Sequence, residues 1–213
     1  MRLVIFVTIQ KLSDMRKLIL CSLFLLSASS LWAQSTAVKN TLKKGKTLGF
    51  SFTFHDFATA SELKSDGLSS VLTDKDWMKT ARMTPGLALS YTSGISDHLD
   101  VMTRFGGAIL KYPVPGRAKP TSDKLLMEVD VNLNIKLLTD AYTVVPYFSV
   151  GAGASTWGGY ATAYIPMGAG LQIRLAESTH ILLQSQYRAP VTTNNGARHM
   201  FWGMGITSNI GKK

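Results

Sequence analysis

Few side chains in this chain could carry acid–base or metal chemistry. The histidines are His55, His98, His180 and His199, and the one cysteine is Cys21. Zinc sites draw on Cys and His at short recurrent spacings. No two of these histidines share such a spacing, so no metal ligands and no cofactor are expected. A nucleophile or general base needs an orienting partner. Only His55 has a carboxylate beside it, Asp56. Neighbours along a strand point to opposite faces, which argues against a His–Asp pair. Catalysis is therefore not expected, and attention moves to the segments that hold the polar residues.

Those segments alternate with period two, the signature of strands. In residues 125–137, Leu125, Met127, Val129, Val131, Leu133, Ile135 and Leu137 fall on one face, against Leu126, Glu128, Asp130, Asn132, Asn134 and Lys136. Thirteen residues exceed the five or six usual in soluble strands and suit the 9–11 of a tilted bilayer-crossing strand. The same reading recurs at 48–57, 86–93, 98–110, 143–154, 160–175, 179–188 and 199–210, giving eight segments. The links at 94–97, 139–142 and 176–178 are tight. Those at 58–84, 111–123, 155–159 and 189–198 are mostly longer. Short turns alternating with long loops predict an all-β, eight-stranded antiparallel up-and-down transmembrane barrel with both termini on the periplasmic side. Proline cannot donate to a ladder, so Pro146 belongs near the membrane boundary and Pro166 predicts a bulge.

The polar face is rich in Gly, Ala, Ser and Asn rather than the Lys, Glu and Thr of a water-facing surface. It therefore belongs inside, where eight strands leave room only for packed side chains. Charges enclosed there must pair. Arg104, Glu128, Asp130, Lys136, Gln172, Arg174, Gln184, Gln186 and Arg188 are expected to form a plug, with Arg104 near Asp130, Lys136 near Asp100 and Gln172 near Gln184. Tyr112, Tyr142, Trp157, Tyr160 and Tyr187 lie near strand ends, as interfacial girdles require.

Before the strands, Met15-Arg16-Lys17 precedes an apolar run over 18–26, a small-residue region over 27–30 and then Leu31-Trp32-Ala33. This predicts a cleaved secretion signal over 1–33, with Met15 as a candidate start. The apolar run is shorter than the roughly 20 residues of a spanning helix. Removing the net +3 of this segment (Arg2, Lys11, Arg16 and Lys17 against Asp14) from the formal +10 leaves about +7. The densest basic cluster, Lys39, Lys43, Lys44 and Lys46, reads as a short periplasmic tail over 34–46 rather than as a nucleic-acid surface, which would interleave aromatics. The barrel then occupies 47–213.

The eight-segment pattern, with runs such as Tyr164-Ile165-Pro166-Met167-Gly168-Ala169-Gly170, resembles the OmpA-like transmembrane barrel domain over about residues 47–212. The resemblance implies an integral outer-membrane protein with a structural or surface-contact role, in some relatives with minor pore activity. It implies lipid and lipopolysaccharide as surroundings and the barrel-assembly machinery as an insertion partner. No peptidoglycan-binding module follows the strands up to Lys213, so cell-wall anchoring is not expected. The last strand also lacks the terminal aromatic that such machinery reads. A surface ligand would meet the loop 58–84, which carries Lys64, Asp66, Asp74, Lys75, Asp76, Trp77 and Lys79. The alternatives are a narrow porin-like channel, a soluble lipocalin-like barrel, and a lipid A-modifying barrel enzyme, although no Ser-His signature of lipid A deacylases is present.

Overall fold

A computed structural model of the chain describes residues 43–73, 79–191 and 194–210. The signal expected over 1–33 and most of the tail lie outside the described residues. Eight strands form one closed antiparallel barrel: β1 (Thr47–Asp56), β2 (Thr84–Gly94), β3 (Leu99–Leu110), β4 (Lys124–Lys136), β5 (Val144–Trp157), β6 (Tyr160–Arg174), β7 (Thr179–Pro190) and β8 (His199–Asn209). Each pairs with its sequence neighbour, and β1 closes on β8 with Phe50 opposite Ile206 and His55 opposite Phe201. Closure leaves no unpaired edge, the condition for strands to cross a lipid core.

Alternation sorts side chains by face. Phe50, Phe52, Leu87, Leu89, Phe105, Val129, Val131, Phe148, Ile165, Met204 and Ile206 point outward, while Ser51, Thr53, Ser90, Arg104, Glu128, Asp130, Asn132, Gln186 and Arg188 are buried inside. Eleven residues, the length of β2 and β8, rise about 3.3 Å each and at about 40° tilt span about 28 Å, enough for the ~25 Å apolar band of such barrels. An apolar belt of this extent cannot face water. The polarity is the reverse of a lipocalin-like barrel, and that alternative falls. No helix among the described residues is long and apolar enough to cross a membrane, so any crossing rests on the strands.

The connections differ in detail from the alternation reading. The 58–84 segment is not simply an exposed loop: it holds two short helices, α1 (Phe57–Ser65) and α2 (Gly67–Thr73), and a 3-10 turn, Thr80–Arg82. Asp56 ends β1 and caps α1, accepting from the Thr59 amide at 3.0 Å. Capping by Asp satisfies an otherwise orphan donor, so this carboxylate serves the helix and not His55. Arg82 reaches back to Glu62 at 2.8 Å. Buried Ala60 and Val71 fasten the helices down. Of the residues read there as ligand-facing, Asp74 to Trp77 lie outside the described set.

The link expected at 155–159 is a two-residue hairpin. Gly158 and Gly159, at φ 55° and 89°, join Trp157 to Tyr160. Positive φ at both central residues is the hairpin geometry that matches strand twist. Gly159→Ala is expected to cost about 1–2 kcal/mol, read as a lower urea midpoint of unfolding.

Pro166 does not produce the expected bulge. Val150 pairs with Met167 and Gly153 with Tyr164, so the register is the same on both sides of a two-pair gap in the β5–β6 ladder. On its other side Pro166 stays opposite Arg188 in the β7 ladder. The missing N–H is absorbed by a local break rather than by an inserted residue.

Candidate functional site: the barrel lumen

Three layers of polar side chains stack along the lumen. At the end formed by the short turns, Lys136 lies 3.0 Å from Asp100 and 2.6 Å from Asp140. Gln172 donates to Asp140 at 3.2 Å and accepts from Lys44. Lys44 thus enters the lumen mouth rather than belonging to a free basic tail. Burial pulls its ammonium below the usual lysine range, and Asp100 and Asp140 oppose that effect. Its carbonyl also accepts from the Gly94 amide at 3.2 Å. Two cations and two carboxylates balance here.

The middle layer holds Arg104, which donates to Gln184 and Gln186, both at 3.1 Å, and lies 4.5 Å over the Phe201 ring. Arg104 and Asp130 are direct ladder partners, yet their nearest approach is 3.9 Å. The amides hold this guanidinium more closely than the carboxylate does. Asp130 instead accepts from Arg188 at 3.0 Å, from Tyr164 at 3.1 Å and from Asn132. Arg188 also bonds Glu128 and stacks 3.9 Å over Phe201. Arg104, Arg188, Glu128 and Asp130 make a second balanced quartet. Charge inside a narrow barrel is tolerable only when paired in this way.

Two tyrosines fit by lying over glycines of the neighbouring strand. Tyr147 faces Gly170 and Tyr164 faces Gly153 in the β5–β6 register. A Cβ on either glycine would sit within 2.3 or 2.5 Å of the ring. The Gly-rich polar face is therefore space reserved for aromatics from adjacent strands.

The top layer is the one the sequence reading missed. His55 of β1 and His199 of β8 meet Glu128 of β4 across the lumen, with His199 Nε2 3.3 Å and His55 Nδ1 3.6 Å from its carboxylate oxygens. All three side chains are at least 96% buried. Above them, Leu110, Tyr112, Val114, Leu126 and Trp157 form an apolar cluster, with Phe57 and Tyr160 packed on it. Tyr112 donates to the Ala197 carbonyl at 3.2 Å and accepts from its amide at 2.7 Å. Burial pushes its phenol up to about 12.

This cluster corrects the aromatic girdle. Tyr112 and Trp157 are 2% and 5% exposed and point inward, and Trp157 donates to the Leu110 carbonyl at 2.8 Å. Tyr160 also packs on the cluster. Trp157 shares the parity of Tyr147 and Ser149, so alternation already placed it inside. Tyr142 and Tyr187 are half-buried, in a turn and on the outward side of β7. Gln172 and Gln184 do not meet: the first joins the lower layer, the second Arg104. Arg174 ends β6 half-buried and joins none of the ion pairs formed among the described residues.

No protein-family model matches the chain, and no curated protein does. Solved structures do. The N-terminal β-barrel domain of Pseudomonas aeruginosa OprF aligns at TM-score 0.51 and 12% identity, covering 79% of this chain and 99% of that one. Neisserial surface protein A gives 0.53 and 12%, with 79% and 99% covered. OprG of Pseudomonas aeruginosa gives 0.52 and 11%, with 79% and 98% covered. The fold is the one these eight-stranded outer-membrane barrels share. At such identities the likeness concerns the backbone alone.

Proposed function

We propose that this chain is an integral outer-membrane barrel whose lumen is a structural plug and whose role is exercised through its longer loops. The reading follows the outward apolar belt and the fold shared with outer-membrane barrels. In that setting the secretion signal directs export and is removed, the assembly machinery inserts the strands, and lipid and lipopolysaccharide surround the belt. The turn end faces the periplasm and the end carrying α1 and α2 faces outward.

The single observation that carries the plug is the stack of two charge-balanced quartets beneath an apolar lid. A conduction path through eight strands would need that stack removed, since side chains fill so narrow a lumen. Planar-bilayer recording on the refolded protein tests it: no steady unitary current is expected, and a stable conducting level would replace the plug by a narrow channel. The buried histidine–glutamate group faces the lumen and not the lipid, which gives it no route to a lipid substrate and favours the non-enzymatic reading. A surface ligand, if the loops take one, meets the face built by α1, α2 and the Thr80–Arg82 turn.

A further inference from the structure

We infer that His55, His199 and Glu128 form a binding site for one divalent transition-metal ion of the zinc class, at the outer end of the lumen. Each of the three side chains offers one ligand atom, and these atoms all lie within 4.8 Å of one another. Two imidazoles and one carboxylate with a fourth position left over is a zinc-type donor set.

Geometry and satisfaction both point this way. A tetrahedral ion with ligands at 2.0–2.1 Å sets its donor atoms about 3.3–3.4 Å apart. His199 Nε2 and Glu128 Oε1 already stand at 3.3 Å, and His55 Nδ1 is 3.6 Å from the other oxygen of that carboxylate. Yet His55 Nδ1, His199 Nε2 and Glu128 Oε1 are all buried, and beyond these contacts with one another none of them has a hydrogen-bond partner. Three unsatisfied polar atoms turned towards one another cost free energy unless something sits between them. An ion accepted by all three removes that cost.

The surroundings divide the carboxylate's two oxygens. Oε2 bonds Arg188, which leaves Oε1 for the ion. Arg188 repels a cation, but Asp130 already holds its other nitrogen at 3.0 Å and can take more of the guanidinium as Glu128 turns to the metal. The remaining ring nitrogen of His199 lies 3.4 Å from the Ala197 carbonyl. Such an outer partner fixes the tautomer that leaves Nε2 free to bind. Phe57, 4.9 Å from the His199 ring, covers the outer side.

The test uses the whole chain refolded into detergent micelles with Zn(II) present, so that entry past the lid is not required, then dialysed against metal-free buffer. One zinc per folded chain is expected, and a Co(II)-loaded sample should show the intense visible absorption of a four-coordinate site. His199→Gln and His55→Gln should each weaken zinc binding by about 100-fold or more, beyond the 10–100-fold of losing a supporting partner, while His98→Gln binds as wild type. Folding of each variant is verified by its heat-dependent gel shift. Folded wild type that retains no zinc overturns the proposal whatever the variants do. Retained zinc that survives either substitution in a folded variant also overturns it, because the ion then sits elsewhere.

Discussion

Replacing Arg188 by Ala is expected to lower barrel stability by about 3–5 kcal/mol, the cost of leaving a buried carboxylate without its partner. The residue is 1% exposed and joins Glu128, Asp130 and the Phe201 face in one constellation. Its loss removes the guanidinium that neutralises two buried carboxylates, and Arg104 does not replace it, since its guanidinium is held by Gln184 and Gln186. The urea midpoint of unfolding, followed by loss of the heat-dependent gel shift, measures the effect. Neutralising the stranded partner as well, in Arg188→Met with Glu128→Gln, should recover part of it, because an apolar or neutral replacement of a whole buried pair is often tolerated. A single substitution with a cost below about 1 kcal/mol would mean that the quartet of Arg104, Arg188, Glu128 and Asp130 does not hold the lumen together.

The second large effect is on the other face. Val131 points outward from the middle of β4, where a lipid-facing cation costs about 2–4 kcal/mol, falling to about 0–1 kcal/mol near the interfaces. Val131→Arg should therefore destabilise the barrel in lipid bilayers by that larger amount. Leu137→Arg, just beyond the end of the same strand and also outward, should cost little because its side chain can reach the headgroups. The same pair compared by urea unfolding in lipid vesicles gives a depth profile. Equal costs at the two positions would contradict a membrane-crossing β4, since a water-facing wall has no reason to distinguish its middle from its rim.

Most of the architecture was legible because a barrel wall has a strict period. Alternation over 125–137 placed Glu128, Asp130 and Lys136 inside and Val129 and Val131 outside, as found. Neighbouring hairpins also follow from turn position, so the direct Arg104–Asp130 ladder pairing was within reach of the sequence. The same logic failed where proximity to a strand end was allowed to outweigh parity. Position alone suggests a girdle at Tyr112, Trp157 and Tyr160, whereas the parity of Trp157 points it inward, where the structure places it.

What sequence alone determined is the wall: eight strands, their order, the oily outer face and the polar inner one, because local alternation and the adjacency of hairpin partners require no knowledge of distant contacts. What only the tertiary structure decided is which inner residues meet across the lumen. His55 and His199 become neighbours through the closure of β1 on β8, and Glu128 reaches them from the opposite wall. Lys44, Asp140 and Gln172 likewise converge from three separate segments. Those meetings depend on the curvature and stagger of a closed sheet, which bring together residues that no spacing along the chain can relate.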